Sequence, residues 1–300
     1  MTLGYDGELY ILAFDHRGSF QKKLLGIGGS PTPEEGGRIS DAKAVIFEGF
    51  LRALEESAPR EAAGVLVDEQ FGADLARRAG KEGLILAMPV EQSGRDEFDF
   101  EYGDAFGAHV EEFDPTFAKV LVRYNPEGDR ELNARQLARL RKLSDWLHER
   151  DRELLFELLV PAEPGQLEAV GGDEGRFDRE VRPSLMLWAI RDLHDGGVEP
   201  DVWKIEGLED PEHCRAVADL ARSDGRDGVG CVVLGRGADD AAVERWLRAG
   251  AGVPGYVGFA IGRTIWWDPL AGYLNGSFER GVASARIAAT YRRMILVYRG

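Results

Sequence analysis

A lysine stands inside an apolar segment of this chain. Lys204 lies in the run Pro200–Gly207 (PDVWKIEG), which reads as a buried strand. Burying an ammonium group costs on the order of several kcal/mol unless the group is paired or loses its proton. A neutral lysine amine is a nucleophile that forms a Schiff base with a carbonyl substrate. The alternative interpretation is a structural lysine that snorkels to solvent or forms a salt bridge at a strand end.

Two further charged residues in strand-like runs fit the same chemistry. Lys119 begins the run KVLVR, and Glu157 lies in the middle of LLFELLV. Two facing lysines lower each other's pKa by like-charge repulsion, so we expect one amine to stay neutral and attack a ketone. Glu157 is suited to general acid–base work on the carbinolamine and on the substrate hydroxyl. Its structural alternative is an ion-pair partner for either lysine.

The elements that must position these residues alternate regularly. Eight short apolar runs are separated by segments with helical periodicity, which predicts parallel strand pairing. Eight repeats without a break favour a single closed (β/α)₈ TIM barrel over residues 1–300, rather than an open doubly wound sheet. The predicted strands are Leu9–Phe14, Ala63–Val67, Leu84–Met88, Lys119–Arg123, Leu154–Val160, Val202–Ile205, Gly230–Leu234 and Tyr256–Ile261. The predicted helices are Ile39–Ser57, Ala73–Gly80, Ala134–Asp151, Pro183–Leu193, Asp210–Ser223, Asp239–Ala249 and Gly281–Tyr298.

Two connections are long for such a barrel. The segments Gly26–Gly37 and Arg95–Glu112 are predicted loops, and each is either surface decoration or a cover over the barrel mouth.

Side-chain alternation tests whether the charges converge. Active sites of these barrels lie at the carboxyl ends of the strands, and residues alternate between inside and outside. The predicted inward faces are Ile11, Ala13, Asp15 and Arg17; Leu66 and Asp68; Lys119, Leu121 and Arg123; Leu155, Glu157 and Leu159; Val202, Lys204 and Glu206; and Ile261 and Arg263. Six strands that each aim a charged group at one interior are better explained by a polar site than by isolated structural charges.

Two glycine–arginine loops suggest an anion site. Gly235, Arg236 and Gly237 follow the seventh predicted strand, and Gly262 and Arg263 follow the eighth. Barrel enzymes commonly bind phosphate at these two loops, where glycine lets backbone N–H groups approach the oxygens. Arginine adds a bidentate partner. Each Gly-Arg pair alone is an ordinary turn signal.

Net charge and composition limit the kinds of molecule that this protein is expected to bind. A formal net charge of −16 argues against nucleic acid and an anionic membrane, but not against a small anionic substrate in a locally basic cleft. Two cysteines, no basic leader and no apolar stretch of membrane-spanning length lead us to expect a cytoplasmic protein. The sequence leaves a homo-oligomer open.

Neither a metal nor an organic cofactor is expected. Among five histidines, only His16 follows a strand end, whereas a zinc site usually needs about three protein ligands. No dinucleotide fingerprint follows the first strand.

Several motifs together resemble one enzyme family. The segments ILAFDHR (11–17), VLVDEQFG (65–72), KVLVRY (119–124), DVWK (201–204) and GFAIGRTIW (258–266) resemble the class I, Schiff-base aldolases of the tagatose bisphosphate aldolase group. They are more similar still to the aldolase-like domain fused to 5-dehydro-2-deoxygluconokinase in myo-inositol catabolism. The resemblance runs nearly end to end and includes Tyr291, Arg292 and Arg293 of the last predicted helix.

The resemblance implies a metal-independent barrel that cleaves a carbon–carbon bond next to a dihydroxyacetone phosphate unit. It implies that Lys204 forms the Schiff base, that Glu157 transfers protons and that Lys119 lies in the pocket. It also implies that Asp15, Arg17 and Asp68 line the site. The leading substrate is 2-deoxy-5-keto-gluconate 6-phosphate, cleaved to dihydroxyacetone phosphate and malonate semialdehyde.

Departures from the family pattern keep alternatives open. Gly235-Arg236-Gly237 replaces the serine–glycine phosphate loop of the tagatose enzymes, and no kinase domain precedes the barrel. The alternatives are an aldolase or transaldolase for another phosphorylated or sulfonated ketose, a non-catalytic sugar-phosphate-binding barrel and, less favoured, a metal-dependent aldolase.

Overall fold

Eight parallel strands close into one barrel in the computed structural model, which describes residues 3–300. Each strand pairs with its neighbours in sequence, and the eighth pairs with the first, so the predicted (β/α)₈ barrel is confirmed. The strands are β1 Leu9–Ala13, β2 Ala63–Leu66, β3 Ile85–Pro89, β4 Phe117–Arg123, β5 Glu153–Leu159, β6 Val202–Glu206, β7 Gly230–Leu234 and β8 Tyr256–Ile261.

Helices surround the barrel, and the last of them packs against the first. The bounds are α1 Pro33–Glu56, α2 Glu69–Lys81, α3 Phe106–Phe113, α4 Arg130–His148, α5 Pro164–Ala169, α6 Glu174–Glu180, α7 Arg182–Asp195, α8 Pro211–Ala221, α9 Asp240–Gly250, α10 Arg263–Leu274 and α11 Arg280–Arg299. A π-helical turn, Phe20–Leu24, and a 3₁₀ turn, Gly103–Ala105, lie in the connections. No helix within residues 3–300 is long and apolar enough to cross a membrane.

Both predicted long loops contain helix, which corrects the sequence prediction. Helix α1 begins at Pro33, six residues before the predicted start at Ile39, because Thr32 and Glu35 form a reciprocal capping box. Proline at the first helical position suits this start, and it outweighs the two glycines that follow. In the second segment, the 3₁₀ turn and α3 occupy residues 103–113.

The barrel interior and the layer under the helices form two separate apolar cores. The inner core consists of Leu9, Ile11, Ala13, Leu66, Ala87, Phe117, Leu155, Val202, Val232 and Ala260. Its members agree with the predicted inward faces of β1, β2, β5 and β6. The prediction for β8 is wrong by one residue, because Ile261 belongs to the outer core and Ala260 points inward. A register irregularity between β7 and β8 at Cys231/Val232 accompanies this shift, and a one-residue slip reverses a strand's faces.

The amino end of the barrel is closed by polar contacts and one aromatic pair. The ring of Tyr5 packs edge-on against Phe117, with centroids 5.3 Å apart. Asp201, fully buried, accepts hydrogen bonds from the backbone N–H groups of Gly4 and Leu154. Glu153 at this end has a buried Oε2 with no hydrogen-bond partner among the described residues. Burial, with a smaller contribution from Asp201, raises the pKa of Glu153 to about 7.

Candidate active site

A cleft of about 770 Å³ opens at the carboxyl end of the barrel. Its wall is built by the ends of the strands and by the connections that follow them. All the sequence-predicted site residues except Asp68 line this cleft. Although the chain carries a net charge of −16, basic residues outnumber acidic ones on the cleft wall. The local potential therefore favours an anionic small molecule.

Lys204 and Glu157 form the centre of the cleft. They occupy matched positions on the adjacent strands β6 and β5, so both side chains point into the barrel. Lys204 Nζ donates to Glu157 Oε2 at 2.9 Å, and the two residues are only 3% and 5% exposed. A buried amine in contact with a carboxylate combines a nucleophile with a proton carrier.

Lys119 lies on the other side of Glu157, enclosed by three carboxyl groups. Its Nζ is 3.0 Å from Glu157 Oε2, 3.0 Å from Asp15 Oδ2 and 2.8 Å from Glu91 Oε1. Burial disfavours the charge, but these carboxyl groups outweigh it and hold the pKa of Lys119 well above its ordinary value. The predicted lowering of pKa by lysine–lysine repulsion is therefore wrong for Lys119, which is a fixed ammonium group.

The carboxylates respond to the same charges. Burial disfavours the charged form of Glu157, but Lys119 and Lys204 outweigh burial and lower the pKa of the Glu157 carboxyl. Burial also disfavours the charged form of Asp15, but the charges of Lys119 and Lys204 overcome this effect and lower the pKa of Asp15. Burial lowers the pKa of His16 to about 4, against the opposing effect of Asp15. The resting site thus holds two carboxylates, a neutral His16 and the Lys119 ammonium near neutral pH.

Glu91 is the residue that the sequence reasoning missed. It lies two residues after β3, is 7% exposed and lines the cleft. The alternation that places Ala87 inside the barrel continues through Pro89 to Glu91. The same inside–outside rule, applied to the third strand, therefore predicts that Glu91 points into the cleft.

Arg17 is in the cleft but is engaged with protein groups. Its Nη1 is 2.9 Å from Glu101 Oε2, and its Nη2 donates to the backbone carbonyl of Glu91 at 2.6 Å. Arg123, which also borders the cleft, donates to the carbonyl oxygen of Arg95 at 2.8 Å. Both arginines therefore hold the backbone of the connection after β3 in place.

The predicted phosphate loops meet in space. Arg263 Nη2 donates to the carbonyl oxygen of Arg236 at 2.6 Å, which joins the two loops. Arg236 and Gly237 have φ angles of 49° and 72°, and a Cβ at Gly237 would lie 2.4 Å from Arg263 Cζ. Only glycine at 237 lets Arg263 lie flat against this backbone.

Arg236 itself is shared between two acidic residues. Its Nε is 3.0 Å from Glu206 Oε1, and its Nη1 donates to Asp178 at 2.8 Å. Glu206 uses its other oxygen to accept from the backbone N–H of Val160 at 2.8 Å. This pairing leaves Arg263 as the arginine of the two loops that has no carboxylate partner in the described structure.

Comparison with known proteins identifies the family. The family described as "Uncharacterized protein conserved in bacteria (DUF2090)" matches residues 4–300. The chain belongs to this family. No curated protein matches the chain.

Solved structures similar to this DUF2090 protein include three aldolases. A Schiff base-forming fructose-1,6-bisphosphate aldolase is 16% identical, with a TM-score of 0.56 over 97% of this chain and 95% of that one. An archaeal fructose 1,6-bisphosphate aldolase is 15% identical, with a TM-score of 0.59 over 100% and 97%. A fructose-bisphosphate aldolase from Plasmodium falciparum, solved with TRAP and an inhibitor, is 14% identical, with a TM-score of 0.63 over 97% and 91%. At these identities the similarity shows the fold.

Asp68 does not reach the cleft, which corrects its predicted place in the site. Strand β2 of this DUF2090 protein ends at Leu66, and Asp68 turns away to cap α2 by accepting from the N–H of Phe71 at 2.9 Å. Its other oxygen is bonded to Lys43 Nζ, which also donates to the carbonyl oxygen of Phe14 at 2.8 Å. Lys43 and Asp68 are both fully buried, so this pair links α1 to β2 and is structural.

Removing the Asp68 carboxylate is expected to destabilise the protein strongly. Asp68→Ala leaves Lys43 buried with only a carbonyl partner, and breaking a buried ion pair on one side costs about 3–5 kcal/mol. Urea unfolding measures this loss. Asp129→Ala is the matched control, because Asp129 is an exposed cap of α4 whose loss costs about 1 kcal/mol. Equal, small losses in both variants, with weaker substrate binding in Asp68→Ala, would restore Asp68 to the binding site.

One group of side chains outside the cleft has metal-ligand types. Glu69, His109 and Glu112 bring candidate ligand atoms within 4.8 Å of one another. These groups already have protein partners, since His109 Nδ1 is 2.9 Å from Glu69 and Glu112 is 2.7 Å from Arg77. In the cleft of this DUF2090 protein, His16 is the one histidine among the lining residues.

Proposed function

We propose that this protein is a class I aldolase, a lyase that acts on a phosphorylated keto sugar through a Schiff base on Lys204. One observation carries the proposal. Lys204 Nζ lies 2.9 Å from Glu157 Oε2, and both groups are buried at the bottom of a basic-lined cleft. The barrel shared with Schiff base-forming aldolases supports the same reading at the level of fold.

The first half of the reaction needs an amine and a proton carrier. Lys204 transfers a proton to Glu157 and attacks the ketone carbon, which forms a carbinolamine. Glu157 then returns the proton to the carbinolamine hydroxyl, which leaves as water, and a protonated imine remains. Lys119 stays charged throughout and steadies the carboxylate of Glu157, which is 3.0 Å away.

Bond cleavage uses the imine as an electron sink. Glu157 or Asp15 removes the proton of the substrate hydroxyl, the carbon–carbon bond breaks, and an aldehyde leaves. The electron pair moves onto the imine nitrogen and produces an enamine. Protonation of the enamine carbon and addition of water then release the ketone product and free Lys204.

The remaining cleft wall suits a phosphorylated substrate. Arg263 and the backbone of Gly235 and Gly262 would hold the phosphate at the ends of β7 and β8. Two substrates fit this chemistry: 2-deoxy-5-keto-gluconate 6-phosphate, an intermediate of myo-inositol catabolism, and a phosphorylated or sulfonated ketose of the tagatose bisphosphate type. Comparing kcat/KM for the two substrates in one assay shows which of them the protein prefers.

Trapping with borohydride tests the proposal. We expect dihydroxyacetone phosphate plus borohydride to add the mass of a reduced imine adduct to the protein, and peptide mapping to place the adduct on Lys204. Borohydride alone is the control. An unmodified protein rules out the Schiff base, and retained ligand binding without turnover indicates a non-catalytic sugar-phosphate-binding barrel.

A further inference from the structure

Glu91 is held in the cleft wall by its backbone. The connection after β3 folds back so that Glu91 pairs with Phe100 as an antiparallel bridge. Arg17 Nη2 donates to the Glu91 carbonyl oxygen at 2.6 Å, and Arg17 Nη1 donates to the carboxylate of Glu101. A backbone bridge within this connection and the guanidinium of Arg17 therefore fix where the Glu91 side chain begins, as expected for a residue with a geometric role.

The two oxygens of the Glu91 carboxyl group differ, because one accepts a hydrogen bond and the other has no partner in the described part of the chain. Its Oε1 accepts from Lys119 Nζ at 2.8 Å, whereas its Oε2 is buried and has no hydrogen-bond partner among residues 3–300. Neither Asp15 nor Glu157 has a buried oxygen left unpaired. An unsatisfied buried polar atom costs free energy until a partner arrives, and the terminal torsion of glutamate turns easily. Because this oxygen is itself closed to solvent, a partner from the cleft, which Glu91 lines, meets it only after the carboxyl group turns.

Burial also favours the protonated form of Glu91. It raises the pKa of the Glu91 carboxyl, and the opposing charges of Lys119 and Arg17 do not cancel the effect. A protonated carboxyl keeps an O–H that donates to a substrate oxygen, and a carboxylate accepts from a hydroxyl. A hydroxyl group is the partner that suits either state.

The contacts among the charged side chains form a row along which a substrate can lie. Successive contacts of 2.9, 3.0 and 2.8 Å lead from Lys204 to Glu157, on to Lys119 and then to Glu91. On the proposed mechanism, the imine carbon is attached to Lys204 and the reacting hydroxyl lies at Glu157. A substrate that continues along this row of side chains brings its next carbon, beyond the bond that breaks, toward Lys119 and Glu91.

We infer that Glu91 is a specificity-determining residue whose carboxyl group binds a hydroxyl on the carbon next to the one that becomes the aldehyde. This inference rests on the proposed function and narrows its substrate. A ketose phosphate carries that hydroxyl, whereas the 2-deoxy acid has a methylene group there. A site built around a hydrogen bond discriminates strongly against an analogue that lacks the bonding group.

Paired aldehydes test the inference in the synthetic direction. With dihydroxyacetone phosphate as the donor, kcat/KM is compared for D-glyceraldehyde 3-phosphate and 3-oxopropyl phosphate, which lacks only the 2-hydroxyl. We expect the native protein to prefer the hydroxylated aldehyde by roughly tenfold or more. No preference in the native protein overturns the inference, whatever the variants do.

Variants assign the preference to Glu91. Glu91→Met is expected to reduce the preference to about threefold or less by slowing the hydroxylated aldehyde, and Glu91→Gln, which still hydrogen-bonds, keeps most of it. Glu153→Gln is the matched control, because Glu153 also has a buried unpaired oxygen but lies at the opposite end of the barrel. A full preference in Glu91→Met overturns the inference.

Failure of the inference and failure of the proposed function give different results. A borohydride adduct on Lys204 with no aldehyde preference removes only the role of Glu91. The absence of any adduct removes the Schiff-base mechanism and the inference together.

Discussion

Lys204→Met is expected to abolish turnover, with kcat lowered on the order of 10⁴-fold or more, because Lys119, the other lysine beside Glu157, is held as a charged ammonium and cannot act as the nucleophile. The borohydride adduct with dihydroxyacetone phosphate should disappear in the same variant. Turnover is followed as release of dihydroxyacetone phosphate, and the adduct is measured by mass spectrometry of the intact protein.

Lys204→Arg separates the nucleophile from the charge. Arginine keeps a cation beside Glu157 but cannot form a Schiff base, so this variant is expected to fold and to remain inactive. An adduct in Lys204→Arg would place the reactive amine elsewhere, and Lys119 would then be the nearest candidate. That result would contradict the assignment of Lys119 as a fixed ammonium group.

Glu157→Gln is expected to lower kcat by roughly 10²–10⁴-fold, because the amide neither accepts nor returns the protons of dehydration and cleavage. The amide side chain is close to isosteric with the native carboxylate, so the Lys204 adduct with dihydroxyacetone phosphate should still form, although more slowly. Loss of kcat with little change in KM distinguishes a proton-transfer role from substrate binding.

The pH dependence of kcat in the native protein gives a second check on Glu157. Lys119 and Lys204 outweigh burial and lower the pKa of this carboxyl, so the carboxylate persists below the ordinary range of glutamate. As the pH falls, kcat should therefore stay constant down to a pH below about 4.5, the ordinary pKa of a glutamate. Circular dichroism at each pH checks that the protein is still folded. A fall in kcat centred above the ordinary glutamate value, without unfolding, would contradict this carboxylate assignment.

Local sequence patterns determined the barrel and the centre of the cleft. The alternation of strands and helices specified parallel pairing, and eight repeats specified closure. The period of two along β5 and β6 placed Glu157 and Lys204 inside, and the structure brings them together at 2.9 Å. These features follow from the sequence because hydrophobic periodicity is a local property of each strand.

Only the tertiary structure decided the charges and partners around that centre. Asp68 pairs with Lys43, Glu91 reaches Lys119, and Ile261 turns to the outer core, each because residues distant in sequence meet there. The high pKa of Lys119 has the same origin, since its three carboxyl neighbours come from different strand ends. Electrostatic energies depend on distance in space and on burial, and strand periodicity contains neither.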